Sequence, residues 1–393
     1  MNRALKILVV LLGLLVGKAS ALDWETGGDV RYYQFLTLEN LPGQREHSEF
    51  GVLRLKASSW LSDAWSFEVH GVLEATAPAR AAVSSIATGG TRRYFDLEAD
   101  LKDDPDLFVG AEIDRLTLRL DQPGYRLTIG RQAVTWGVNY FWPALDLFAP
   151  FAPQRIDRDY KPGVDAVRLT VPTGDFSEWD LILAGQGRDF SEDFSLAVLR
   201  RWNVRLSDLG LMAGSFHRDV VLGGFFVTDW AGYGVRGEIA YTRSGDDFDD
   251  RLDRDSFWRG SLGLDRQLNE DWMLTTELAW NGFGTDTAAQ YLAFAQADRI
   301  SRGEVNALGQ LYLGTSLAWQ AHPLLTVNTT LLANLDDQSM LLQPGATWSL
   351  SDESSLLFGL ILGFGDDLSP GGVPRSEYGA VPATAWASLK FYF

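Results

Sequence analysis

The stretch AWASLKFYF, Ala385 to Phe393, decides how this chain is read. Every second residue, Ala385, Ala387, Leu389, Phe391 and Phe393, is apolar. The set between them, Trp386, Ser388, Lys390 and Tyr392, is mixed and mostly polar. That alternation marks a strand with one greasy and one wet face. Chain ends in water ordinarily fray, so a strand that runs to a terminal aromatic is expected to be paired. The same period recurs upstream. Leu274, Leu278 and Trp280 alternate with Thr275, Glu277 and Asn281, and Leu311, Leu313, Leu317 and Trp319 with Gln310, Tyr312, Ser316 and Gln320. Leu325, Val327 and Leu331 likewise oppose Thr326, Asn328 and Thr330.

At the other end, Arg3 and Lys6 precede an apolar run from Ile7 to Val16, and Ala19-Ser20-Ala21 is a small-x-small cleavage site. These are the three parts of a secretory signal peptide. The alternative, an N-terminal membrane anchor, needs about 20 apolar residues. Cleavage after Ala21 leaves a single domain over residues 22–393 and, by loss of Arg3, Lys6 and Lys18, takes the formal net charge from -18 to -21. Mean hydropathy near zero excludes a bundle of membrane-spanning helices but not a barrel, whose strands hide their apolarity in alternation. The absence of cysteine excludes disulfides and thiolate chemistry. The 14 Trp, 12 Tyr and 22 Phe are what two interfacial aromatic girdles would use.

Turn residues recur at short intervals: 62–64, 122–124, 174–175, 207–208, 229–232, 269–271, 321–323 and 351–353. Longer polar segments lie between them, clearest at 76–110, 136–161, 244–255, 283–306 and 366–378. Eight short turns and nine longer loops make an all-β, up-and-down antiparallel transmembrane barrel of about eighteen strands, with short periplasmic turns and long outer loops. Sixteen would follow if a hairpin near 188–193 or 218–219 is misread. A soluble sandwich would need a second sheet to cover each apolar face, whereas a closed barrel leaves no edge, as lipid demands.

With one face toward lipid, the other lines a pore. Parity turns Arg54, Lys56, Arg115, Arg119, Arg126, Arg168, Arg201, Arg205, Arg236, Arg259 and Lys390 inward, against the acids Glu68, Glu74, Glu238, Asp265 and Glu277. Acidic residues concentrate instead in the runs 96–106 and 246–255. Two readings follow: the arginines pair with acids of infolded loops and are structural, or the basic wall favours anionic solutes in a confined channel.

The segment 130–168 is the most distinctive. A strand carrying Arg126, Thr128, Gly130 and Gln132 ends at Trp136-Gly137, and a greasy loop follows with Trp142, Leu145, Leu147, Phe148 and Phe151 and three prolines. It continues through the charged run Arg155, Asp157, Arg158, Asp159 and Lys161. So much apolar surface must be buried. An infolded loop narrowing the bore does that, and so would a thickened outer girdle. Arg131 breaks parity, since alternation aims it at lipid; a bulge near Gly130 would turn it inward.

The pattern of Gly130, Arg131, Gln132, Trp136, Gly137, Pro143, Asp146, Phe148, Pro150, Phe151, Asp157, Lys161, Gly163, Asp165 and Arg168, with Arg92 to Leu97 and Asp114 to Leu116 upstream, resembles porin-like barrels related to the bacterial alginate export family. The resemblance covers about 92–170 and implies an outer-membrane channel of about eighteen strands with an arginine-rich lumen. It leaves the cargo open.

The expectation is a passive channel for small hydrophilic, anionic solutes, with Arg115, Arg119, Arg126, Arg168, Arg201 and Arg205 as its selectivity wall. A different class of reading is the outer conduit or sheath of an export or electron-transfer complex. Expected partners are outer-membrane lipids and lipopolysaccharide, small solutes or an anionic polymer, and the barrel assembly machinery acting on Phe393. No nucleic acid, metal or cofactor is expected, nor an enzyme, since His47, His70, His217 and His322 show no triad spacing. The string Gly232 to Gly237 matches a dinucleotide fingerprint by letters alone, on a strand with no helix after it. The acids of 246–255 read as a solvated outer loop rather than a calcium site.

Overall fold

The structure is a computed structural model that describes residues 23–39, 46–78, 92–187, 193–245, 254–369 and 371–393. The expected signal peptide and most of the acidic run 246–255 lie outside the described residues. The strands are β1 (Trp24–Glu39), β2 (Glu46–Trp60), β3 (Trp65–Ala77), β4 (Glu98–Asp104), β5 (Leu107–Gln122), β6 (Tyr125–Gln132) and β7 (Val164–Gly174). They continue as β8 (Ser177–Gly185), β9 (Phe194–Val204), β10 (Ser207–Phe216), β11 (Asp219–Trp230), β12 (Tyr233–Arg243) and β13 (Ser256–Gln267). The last six are β14 (Trp272–Asn281), β15 (Leu311–His322), β16 (Leu325–Asn334), β17 (Ser339–Ser351), β18 (Ser354–Phe364) and β19 (Ala383–Tyr392).

Each strand pairs antiparallel with its neighbours, and β19 returns to β1, with Val30 opposite Phe391 and Arg31 opposite Lys390. β3 pairs directly with β5, and among the described residues β4 pairs with β5 alone. Of the nineteen strands among the described residues, then, eighteen form the closed ring. The hairpins β8–β9 and β10–β11 are both present, which gives eighteen rather than sixteen. Among the described residues no helix is long and apolar enough to cross a membrane.

Alternation sorts the wall. Outward Leu211, Leu222, Ile239 and Leu262 are 52–60% exposed, while their inward neighbours Met212, Val221, Ala240 and Ser261 are at most 6% exposed. In water each such outward side chain would forgo about 1.5–3 kcal/mol of burial; hydrocarbon removes that cost. Aromatics collect at the short-turn end, where Trp60, Trp230 and Trp348 are exposed and Trp272 stacks on Trp319 at 5.3 Å. Tyr241 and Trp258 pair at 4.8 Å nearer the long loops. These are the two interfacial belts of a membrane barrel.

Two local departures shape the interior. In β5, His70 faces Arg115 and Gly71 faces Ile113, so Asp114 is the extra residue of a β-bulge. Consecutive Asp114 and Arg115 can therefore both turn toward the lumen. β6, at eight residues, is the short strand of the wall beside β5. Gly130 adopts φ 116°, and a Cβ there would meet the Leu116 carbonyl oxygen at 2.0 Å. At Gln132 the chain leaves the wall and does not rejoin it until Val164. β4 lies against Leu107 to Glu112 of β5, the part that β6 does not reach.

Two expectations are corrected. The β9–β10 turn is Arg205-Leu206 rather than Ser207-Asp208, so Arg205, exposed and at φ 58°, belongs to a turn and not to the wall. No register shift accompanies Gly130: the β6 ladders run unbroken, so no bulge there turns Arg131.

Candidate functional site

Residues 133–163 fold into the barrel because their apolar side chains find lumen-facing partners there. Trp136 packs edge-on against Phe148 at 5.5 Å, and Phe148 lies 5.3 Å from Phe216 of β10. Leu145, Leu147 and Phe148 are buried in one cluster with Met212, Val221 and Phe225. Phe141 and Trp142 join a second cluster with Tyr312 and Leu332. Two wall glycines make room: a Cβ at Gly223 would meet Leu145 at 2.4 Å, and one at Gly314 would meet Phe141 at 2.5 Å.

The loop meets wall strands from β8 to β17, doubling back once on the way. Trp136 donates its indole N–H to Asp180 of β8 at 2.9 Å. Val138 and Asn139 donate main-chain N–H groups to Glu238 Oε1 of β12, both at 2.5 Å, and Leu145 to its Oε2 at 2.8 Å. The Asn139 amide reaches Ser261 of β13 at 2.6 Å. On β14, Glu277 accepts from Tyr140 and Phe141 at 2.9 and 3.0 Å and from Trp142 at 2.7 Å. Gln343 of β17 donates to the Gln154 carbonyl at 3.0 Å.

The charged half of the loop then crosses the seam where the first and last strands meet. Asp157 accepts from Arg31 and the Tyr33 hydroxyl of β1, each at 2.5 Å. Asp159 accepts from Lys390 at 2.7 Å and Tyr392 at 3.0 Å, both on β19. Burial alone would raise the Asp157 carboxyl; Lys390, Arg31 and the Tyr33 hydroxyl outweigh it and bring it down to about 2. Tyr160 sits among cations, its ring 4.1 Å from the Arg54 guanidinium and 5.1 Å from that of Arg31, with Lys56 donating to its hydroxyl at 3.0 Å. The loop closes on itself through Lys161, whose Nζ lies 2.5 and 2.6 Å from the two Asp146 oxygens. Burial disfavours both charges, lowering Lys161 and raising Asp146. Arg155 and Arg158 turn back onto loop carbonyls of Asp157, Tyr140 and Pro153.

Most of the basic residues expected in the lumen are paired. Arg54 and Arg115 share Asp114 at 2.6 and 2.9 Å. Arg126 pairs with Asp121, Arg168 with Asp180 and Arg236 with Asp265, at 2.5–2.9 Å. Arg201 lies 3.6 Å from Glu178, and Arg259 3.6 Å from Glu304 of the β14–β15 loop. Arg131, 1% exposed, bonds to Asp165 and to the Ile113 and Phe95 carbonyls, inside the wall rather than at an open lumen. Among the described residues, Lys56 and Arg119 are the wall cations of that set with no carboxylate within ion-pair distance. Glu68, near Arg119, is engaged by His70 at 2.9 Å.

The tally of inward acids that parity supplies is therefore too low. It lacks Asp29, Asp121, Glu178 and Asp180, which simple alternation could have supplied, and Glu112, whose parity the bulge in β5 reverses. Asp114 is hidden by the bulge, which breaks the alternation that assigns faces. Arg31 and Tyr33, at alternate positions of β1, carry the same period-2 signal and belong with the lumen set. On the short-turn side of the loop a cavity of about 570 Å³ is lined by Thr135, Trp136, Glu178, Arg201, Phe225 and Val227 among others.

No family model matches the chain, and no curated protein matches it. Solved structures do. Pseudomonas aeruginosa OpdK, determined with vanillate, superposes with TM-score 0.57 at 11% identity, over 94% of this chain and 98% of that one. Acinetobacter baumannii OccAB3 gives 0.55 at 9%, over 94% and 99%. Pseudomonas aeruginosa OccD3 (OpdP) gives 0.53 at 10%, over 94% and 91%. At such identities the likeness concerns the fold, and the fold is that of a closed, eighteen-strand, porin-like β-barrel.

Proposed function

We propose that this protein is a passive outer-membrane channel for small hydrophilic solutes, narrowed by the loop 133–163 and biased toward anions. The observation that carries the bias is the pair of lumen cations with no carboxylate in ion-pair distance among the described residues: Lys56 of β2, which donates to the Tyr160 hydroxyl, and Arg119 of β5, opposite Ser66 of β3. Paired arginines contribute little net field, because each is offset by a carboxylate a hydrogen bond away. An unpaired cation in a narrow bore acts on every passing ion. The selectivity wall is thus assigned to Lys56 and Arg119 rather than to the longer set expected from parity. The similar barrel OpdK was determined with vanillate; a small aromatic carboxylate is accordingly the first solute to try.

The same proposal places residues 1–21 as an export signal, the barrel over 22–393 in the bacterial outer membrane among lipid and lipopolysaccharide, and Phe393 as the handle for barrel assembly. A relation to the alginate export family rests on the sequence resemblance over about 92–170 alone. The test is the reversal potential in a planar bilayer under a salt gradient. An anion-preferring channel whose preference falls in the Lys56→Ala and Arg119→Ala double variant supports the reading. Cation preference in the native protein overturns the bias. Absence of conductance, with periplasmic proteins co-purifying, would favour a conduit within a larger complex.

A further inference from the structure

Glu277 is fully buried and Glu238 is 5% exposed, and among the described residues neither forms an ion pair. Charged groups do face them: Asp146 of the loop and Arg259 of β13 toward Glu238, Arg236 of β12 and Arg158 of the loop toward Glu277. Arg236 is spent on Asp265 and the Val138 carbonyl, Arg259 faces Glu304, and Arg158 is turned onto loop carbonyls. A buried carboxylate with no cation is costly unless donors satisfy it. Here the donors are six main-chain N–H groups, of Val138, Asn139 and Leu145 on one glutamate and Tyr140, Phe141 and Trp142 on the other. Such charge-assisted bonds are about twice as strong as neutral ones.

The strands themselves need no acid at these positions; apolar residues there would leave the six loop N–H groups without acceptors. What the acids add is placement: N–H groups on five consecutive residues, 138–142, and on 145, are held at fixed points on two strands one apart in the ring. We propose that Glu238 and Glu277 are positioning residues that set the bore, pinning the turn 138–145 to the wall. The proposal rests on the channel reading for its effect on conductance but not for its effect on the loop.

The chain has no cysteine, so single thiols can be introduced cleanly. In the Glu238→Leu and Glu277→Leu double variant, an Asn139→Cys thiol in the detergent-purified barrel should react with a maleimide at least tenfold faster than the same thiol with both glutamates present. Single-channel conductance should rise severalfold. A second check is a tether: with Asn139→Cys and Ser261→Cys together, oxidation should return the double variant to native conductance, and reductant should release it again. Unchanged labelling in a folded barrel overturns the proposal. Faster labelling in a protein that conducts nothing with or without the glutamates would uphold the pegs and sink the channel. The Glu238→Gln and Glu277→Gln variants keep shape and one acceptor oxygen and should fall between. If these too fail to form a barrel, the glutamates serve wall folding and the positioning claim is wrong.

Discussion

On the β12–β14 flank of the lumen the infolded loop is held by its main chain; on the flank formed by β19, β1, β2 and β5 it is held by its side chains. The first flank offers carboxylates to N–H groups, which every residue but proline possesses. Those bonds ask nothing of the loop's side chains, which on this flank add apolar packing and the Asn139 amide. The second offers Arg31, Arg54, Lys56, Lys390 and two tyrosine hydroxyls to Asp157, Asp159 and Tyr160. Those contacts depend on particular loop residues and on their charge. One flank thus fixes where the loop lies, and the other ties it to the seam that closes the barrel.

That contrast can be broken at several points. The largest effect is expected between the flanks, at the buried Lys161–Asp146 pair. Lys161→Met strands Asp146 without its cation, which should cost about 3–5 kcal/mol and show as a much lower temperature for loss of the heat-resistant barrel band. The side-chain flank should yield next. Asp157→Asn removes a buried anion bonded to Arg31 and Tyr33, at about 2 kcal/mol. Because the Asp157 carboxyl is held down at about 2 in the folded protein, its contribution is complete above the ordinary carboxylate range near pH 4 and lost as pH falls toward about 2. Thermal scans between pH 5 and 2 should show native and Asp157→Asn proteins converging; parallel curves would mean that the seam tie contributes no stability.

A smaller, functional change is expected from Lys56→Ala with Arg119→Ala. It should lower the anion-to-cation permeability ratio a fewfold with little change in stability, whereas removing a whole ion pair, Arg168→Ala with Asp180→Asn, should leave the ratio nearly unchanged. Equal effects of the two would mean that paired arginines also select. The smallest effect belongs to Arg205→Ala, in an exposed turn, where reversal potential and melting should both match the native protein.

Strand period, turn chemistry and a terminal aromatic strand are enough to read the ring and its strand number, because lipid on one face and water or loop on the other force every strand to alternate. The greasy run Trp142 to Phe151 likewise announces a loop that must bury itself. What only the tertiary structure decided is which charges are left free. Arg54, Arg115 and Asp114 lie far apart in sequence or on opposite faces by parity, and a single bulge brings them together. Arg131 finds Asp165 across a ladder within the wall, and Arg205 slips by two residues into a turn. Alternation is a local property of the backbone and survives in one dimension; charge neutralisation depends on distances across the barrel, which no single strand contains.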